Sequence, residues 1–121
     1  MHPVRLTALA FTAAALAAPA AATAATPIKV SEKEFSISGL PKTLKHGVKY
    51  TITVVNKGKY PHDLLIDGKR LHDVGIHNKQ AVAPGAKTSF SLTFPAAGRY
   101  EFYCAIKGHA AKGMKGKLKV T

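Results

Sequence analysis

The sequence RYEFYCAIKGHAAKGMKGKLKVT, residues 99–121, joins two alternating segments through a short loop rich in metal-binding side chains. The alternation before Cys104 and after Gly116 predicts a β-strand on each side of the loop. The loop carries the only cysteine of the chain, and His109 and Met114 follow it at intervals of five residues. Thiolate, imidazole and thioether together select copper over magnesium or calcium. The stretch therefore predicts a metal-binding loop that needs a second histidine from elsewhere in the chain.

The second histidine is best supplied by His62. It follows a turn at residues 56–58 and heads an apolar segment, which places it at the beginning of a strand and the end of a sandwich. Three alternatives stay open at this point. His46 precedes a turn glycine, and His72 and His77 fall in a segment that reads as a long loop.

The loop residues also have purely structural interpretations. Cys104 can be a small buried hydrophobe, and Met114 can simply pack on the end of a sandwich. A lone cysteine cannot form a disulfide within the chain, whereas a bound metal holds it as a protected thiolate. Gly108 and Gly113 precede the histidine and the methionine, where positive φ angles help a loop to wrap around an ion. Zinc also binds Cys and His, so the ligand types alone do not exclude it.

The rest of the chain predicts an all-β fold. Residues 48–55 form the clearest strand and place Val48, Tyr50, Ile52 and Val54 on one face. Turn residues recur at short intervals, and about seven or eight short strands can be counted. This pattern predicts a β-sandwich or barrel. Residues 69–83 are the least regular part and are assigned to a loop.

The amino terminus has the pattern of a secretory signal peptide. Residues 1–25 combine a weakly basic start, an apolar run and small residues suited to cleavage. The alternative is a hydrophobic helix that the mature protein retains, but the apolar run is short for a membrane span. We therefore predict a removed leader and one domain over residues 26–121, exported to the periplasm or the cell exterior without membrane insertion.

The charge pattern limits the partners. The formal net charge is +12, and the lysines are scattered rather than gathered in one basic run. Such a charge favours acidic partners or anionic surfaces. No basic-aromatic motif typical of nucleic-acid binding occurs, so nucleic acid is not an expected partner.

The motifs resemble the small blue copper proteins of the cupredoxin family, and most closely its plastocyanin-like members. The resemblance rests on the Pro-His pair after residues 56–58, on a Pro-Gly turn before an alternating strand, and on the pattern G-x-Y-x-F-Y-C…H…G-M-x-G-x-L-x-V. It implies a Greek-key sandwich and one mononuclear type 1 copper ion. It also implies that His62, Cys104 and His109 are the equatorial ligands and Met114 the weak axial ligand.

The chain departs from the plastocyanin-like pattern at three places. Four residues separate Cys104 from His109 instead of two, a spacing closer to that of azurins and auracyanins. Asp63 replaces a common Asn, and Ala105 replaces the usual Ser or Thr. We expect Asp63 to accept a backbone N–H from the cysteine loop. We also expect the N–H groups of Asp63 and Ile106 to donate to the Cys104 sulfur.

The resemblance implies a soluble carrier of single electrons rather than an enzyme. Tyr103 and Ala105 flank the cysteine, where a multicopper oxidase domain has histidines that reach further copper ions. An exported copper chaperone or storage protein is the alternative, but such proteins can work with Met and His alone.

The resemblance also implies that electrons leave through the edge of His109. The expected surround is apolar, with a basic rim and an acidic redox partner protein. The apolar residues are Ile106, Ala110 and Ala111, and the rim residues are Lys107, Lys112 and Lys115. The carrier is expected to be a monomer.

Overall fold

The structure is a computed structural model that describes residues 8–10, 12–14 and 24–121. The predicted signal peptide falls mostly outside these residues and stays a prediction. The described part contains nine strands: β1 (Thr26–Lys33), β2 (Ser36–Ser38), β3 (Thr43–Leu44), β4 (Lys49–Asn56), β5 (Leu64–Gly68), β6 (Leu71–Ile76), β7 (Lys87–Thr93), β8 (Gly98–Tyr103) and β9 (Lys115–Val120). Short 3₁₀ turns occupy Asn78–Gln80 and Ala110–Lys112. Within the described residues, no helix has the length and apolar character needed to cross a membrane.

The strands form two sheets. One has the order β2-β1-β4-β7, and the other has the order β3-β9-β8-β5-β6. The pairs β1–β4 and β3–β9 are parallel, and the remaining neighbours are antiparallel. The chain passes from one sheet to the other after β2, β3, β4, β6 and β7, so sequential hairpins do not account for the order. This is the all-β Greek-key sandwich that the sequence analysis predicted.

The core lies between the sheets and follows the alternation of the sequence. Tyr50, Ile52 and Val54 on β4 are buried, and the residues between them are only partly covered. Because successive side chains of a strand point to opposite faces, this period fixes which face of β4 meets the other sheet. The predicted face of this strand is confirmed.

Strand β6 was not predicted. The assignment of residues 69–83 to a loop is wrong for Leu71–Ile76, which pairs with β5 at the edge of the five-stranded sheet. Alternation fails there because Asp73 has φ of 48° and Gly75 has φ of 140°, and both angles interrupt a regular strand. His72 therefore lies on an edge strand, and nine strands replace the seven or eight expected.

One end of the five-stranded sheet gathers the predicted ligands. In the register of the sheet, Tyr103 at the end of β8 lies opposite Leu65 on β5 and Lys115 at the start of β9. Cys104 and Met114 are the residues just outside β8 and β9. The fold thus brings the start of β5, the end of β8 and the start of β9 to the same end of the sheet.

Candidate metal centre

The loop between β8 and β9 is held closed by backbone hydrogen bonds. Cys104 N–H donates to Met114 O at 3.0 Å, and Met114 N–H donates to His109 O at 3.1 Å. Gly108 and Gly113 have φ of 83° and 116°, as expected for glycines that turn the chain. The bonds and turns fix the positions of all three loop ligands relative to the sheet.

His62 is fixed from the opposite side of the site. Its backbone forms a bridge with Val82, in which His62 N–H donates at 3.1 Å and Val82 N–H donates back at 2.7 Å. Its side chain is fully buried. Backbone pairing therefore fixes the point from which the His62 side chain projects into the site.

Three donor atoms converge on one point. Candidate ligand atoms of His62, Cys104 and His109 all lie within 4.8 Å of one another. The two Nδ1 atoms are 3.2 Å apart, and Cys104 Sγ lies 3.5 Å from His109 Nδ1. An ion bound by nitrogen at about 2.0 Å and by thiolate at about 2.3 Å, with near-tetrahedral angles, separates its ligands by about 3.3 Å and 3.5 Å. The residues therefore fit a single first-row transition metal ion.

Met114 completes the set of predicted ligand residues. Its side chain is fully buried at the end of the same loop, and its backbone bonds to both Cys104 and His109. The burial keeps the thioether away from water on the same loop as Cys104 and His109.

The other histidines lie away from the cluster. His46 is exposed, and its ring Nδ1 lies 2.8 Å from Thr121 O. His72 is exposed and pairs with Asp67 at 3.3 Å. His77 is exposed and stands immediately before a 3₁₀ turn. The structure places none of these three with the cysteine.

Asp63 ties the two ligand segments together. Its Oδ1 accepts the Ala105 N–H at 2.6 Å, and its own N–H points to Cys104 Sγ at 3.5 Å. Both contacts were expected from the sequence.

Burial raises the pKa of the Cys104 thiol to about 11, while N–H groups of Asp63 and Ile106 oppose the shift. Without a metal the sulfur is a protonated thiol at neutral pH, so a bound cation is what turns it into thiolate.

Sequence reasoning missed Glu34, which lies in the turn between β1 and β2. Its Oε1 accepts the Lys59 N–H at 2.8 Å and the Tyr60 N–H at 2.9 Å, and it lies 2.9 Å from His62 Nε2. These bonds, led by that from Tyr60, lower the pKa of Glu34 to about 2. An ionised carboxylate only accepts, so the His62 proton sits on Nε2 and Nδ1 is free to bind a metal. No local motif marks this contact, because the two side chains are far apart in the sequence.

The ring of His109 lies at the surface side of the cluster. It packs edge-on against Phe35 with ring centroids 5.3 Å apart, and Lys112 Nζ lies 4.7 Å from the Phe35 centroid. A surface depression here is lined by Glu34, Phe35, Lys59, Tyr60, Lys107, His109 and Lys112. Tyr60 is the most exposed large apolar residue of the domain, at 59%. Lys115 lines a separate depression, so Lys59 takes the place expected for it.

Fold and site together define a class of protein: a two-sheet sandwich that gathers a thiol, two imidazoles and a thioether at one end. The chain belongs to the cupredoxin family, because the family model described as a cupredoxin-like domain matches residues 5–120.

Individual relatives agree with this assignment. The chain is 32% identical over 108 residues to a chloroplastic plastocyanin of Physcomitrium patens, covering 84% of this chain and 61% of that protein. It is 34% identical over 76 residues to a multicopper oxidase of Staphylococcus epidermidis, covering 63% of this chain and 15% of the oxidase. The crystal structure of dithionite-reduced auracyanin from Roseiflexus castenholzii superposes with a TM-score of 0.65 at 24% identity, covering 82% of this chain and 99% of that chain. That likeness supports the fold alone.

Proposed function

We propose that this protein binds one type 1 copper ion and carries single electrons between partner proteins. His62, Cys104 and His109 would hold the ion through two imidazoles and a thiolate, and Met114 would supply a weaker thioether ligand. The observation that carries the proposal is the convergence of two Nδ1 atoms and one sulfur, separated by 3.2 Å and 3.5 Å. Similarity to a plastocyanin supports the same activity.

The chemistry of the bound ion is a one-electron change between Cu(I) and Cu(II). The protein keeps the ligands in one place during that change, which keeps the reorganisation small. Backbone pairing of His62 with Val82 and of Cys104 with Met114 supplies this rigidity. The Asp63 N–H faces the sulfur and withdraws thiolate charge, which favours Cu(I).

The site supports a carrier rather than an enzyme. Cys104 and His62 are fully buried, and no second cluster of metal-ligating residues occurs in the described part of the chain. The side chains flanking the cysteine are Tyr103 and Ala105, and neither is the histidine through which an oxidase domain reaches further copper ions. The electron therefore has to enter and leave by contact between proteins.

The contact surface proposed here is the depression beside the His109 ring. Phe35 and Tyr60 give it an apolar floor, and Lys59, Lys107 and Lys112 form a basic rim. Such a surface suits a brief encounter with an acidic redox partner, because charge speeds the approach and a small apolar contact allows release. The carrier acts as a monomer in this proposal.

The site of action proposed here is outside the cytoplasm. The sequence pattern of residues 1–25 supports export and removal of a leader, which leaves the domain 26–121. Mass spectrometry of the protein isolated from its host tests this: a mature chain that begins near Thr26 is expected, and an intact amino terminus contradicts it.

Repeated redox cycling in the presence of a Cu(I) chelator tests the carrier function. The protein loaded with one equivalent of Cu(II) is reduced and reoxidised several times. A carrier keeps its ion, and His46→Ala behaves in the same way because His46 lies outside the cluster. Loss of the ion to the chelator at the first reduction contradicts the proposal and indicates copper delivery or storage.

A further inference from the structure

A single carboxylate oxygen joins the chain segment before His62 to the His62 ring. Glu34 Oε1 lies 2.8 Å and 2.9 Å from the backbone nitrogens of Lys59 and Tyr60, and 2.9 Å from His62 Nε2. The Glu34 side chain is only 21% exposed. Three N–H donors around one oxygen hold the Glu34 carboxylate in one position next to a candidate ligand and stabilise its negative charge.

Gly58 shows that the neighbouring turn is shaped around this carboxylate. A Cβ atom at Gly58 would lie 2.3 Å from Glu34 Oε1 and 2.8 Å from its Cδ and Oε2. The Asn56 side chain holds the same turn, accepting the Gly58 N–H at 2.8 Å and donating to Tyr60 O at 2.7 Å. A side chain at residue 58 would therefore displace the Glu34 carboxylate, which fills the space that the glycine leaves.

The two histidines of the cluster differ in what supports them. His62 is fully buried and its Nε2 bonds to a carboxylate. His109 is partly exposed and leans on the Phe35 ring, and no carboxylate bonds to it in the described structure. A carboxylate on the far nitrogen increases the basicity of an imidazole toward a metal. Only one ligand of this site receives that effect.

We propose that Glu34 is a positioning residue that holds His62 with Nδ1 free and, through its charge, favours Cu(II) over Cu(I). The inference rests on the proposed copper site but adds a residue that the ligand set does not contain. Glu34→Gln keeps an oxygen that accepts the three N–H groups and removes the charge. Affinity for Cu(II) is expected to fall about tenfold, and affinity for Cu(I) much less. A tenfold decrease in the ratio of Cu(II) affinity to Cu(I) affinity raises the reduction potential by about 59 mV.

The experiment measures the reduction potential and the Cu(II) affinity of the copper-loaded wild type, Glu34→Gln and Glu101→Gln. Glu101 is exposed on β8 and serves as a control with the same change of charge. The expected result is a raised potential in Glu34→Gln and an unchanged potential in Glu101→Gln. Gly58→Ala forces the carboxylate away from its position, so its potential is expected to rise as well.

Two failures are distinguishable. If the wild type shows no thiolate-to-copper absorption, the proposed copper site itself is contradicted. The other failure is that the wild type and both glutamine variants show that absorption and have the same reduction potential within about 18 mV. This difference corresponds to a twofold change in the ratio of Cu(II) to Cu(I) affinity, and potentials this close would overturn the role of Glu34. A Gly58→Ala protein with an unchanged potential also overturns it.

Discussion

Glu32 is a carboxyl group buried inside the sandwich with no partner on either oxygen in the described structure. Burial, with a smaller effect of the nearby Asp63 carboxyl, raises its pKa from 4.5 to about 8. The folded protein therefore holds a proton on Glu32 at neutral pH. An unpartnered buried charge is costly, and protonation is how a carboxyl group avoids it.

Glu32→Gln is expected to change how stability depends on pH. Because the folded pKa lies above the unfolded one, the stabilising effect of the Glu32 proton is complete below about pH 4.5 and is lost as the pH rises through about 8. The free energy of unfolding of the wild type should fall relative to Glu32→Gln across this window, by at most about 5 kcal/mol.

Urea denaturation of both proteins between about pH 5 and 9 measures the effect. The metal ligands are the same in both proteins, so their own titration cancels in the difference. A difference in unfolding free energy that stays constant within about 0.5 kcal/mol over this range contradicts the assignment of a raised pKa.

The loop between β8 and β9 depends on glycines with positive φ. Gly113 has φ of 116°, and a Cβ atom there would lie 3.3 Å from Phe35 O. Gly113→Ala is therefore expected to lower the free energy of unfolding by about 1–2 kcal/mol and to displace Met114 next to it. Gly85→Ala is the matched control, because Gly85 has φ of 78° in a turn outside the loop and nothing within 4 Å of its would-be Cβ.

Chemical denaturation and the visible spectrum of the copper-loaded variants separate the two effects. Both variants should lose stability, and only Gly113→Ala should change the absorption of the copper site. Identical spectra for the two variants would show that the loop does not control the site.

Strands with clean alternation were predictable, and so was the metal loop. Residues 48–55, the strand before Cys104 and the strand after Gly116 repeat with period two, and the spacing of Cys104, His109 and Met114 is local. Strand β6 was not predicted, because the positive φ angles of Asp73 and Gly75 interrupt the period of two that marks a regular strand. Local periodicity thus predicts elements whose backbone is regular, and it fails where positive φ angles interrupt a strand.

The contacts that Glu34 and Phe35 make with distant segments could not be predicted from the sequence. Glu34 meets His62 only because the turn after β1 lies against the segment before β5. Phe35 packs against the His109 ring, and Tyr60 lines the same depression, for the same reason. No local sequence pattern predicts such a contact between side chains, because the contact depends on how the two sheets pack.

The distribution of lysines over the sandwich predicts how fast the protein reacts with charged oxidants. Lys107 and Lys112 rim the depression beside His109, whereas Lys45 and Lys49 lie exposed at the opposite end of the sandwich. Lys107→Glu with Lys112→Glu is expected to slow oxidation by anionic hexacyanoferrate(III) about tenfold or more at low salt. Oxidation by a cationic cobalt(III) complex should become faster, because the sign of the local charge is reversed.

Stopped-flow kinetics at about 10 mM and 200 mM salt measures both rates. The control protein, Lys45→Glu with Lys49→Glu, has the same net charge and should stay much closer to the wild type with either oxidant. Equal effects of the two double variants would show that net charge, and not the proposed surface, governs the encounter.

Cys104 is expected to bind copper as a thiolate together with two histidines at one end of the sandwich. The visible absorption spectrum of the protein with one equivalent of Cu(II), for wild type and Cys104→Ser, tests this claim. We predict an intense blue thiolate-to-copper band that a reductant bleaches reversibly and that Cys104→Ser lacks. A pale spectrum, or one that is unchanged in Cys104→Ser, would contradict the claim.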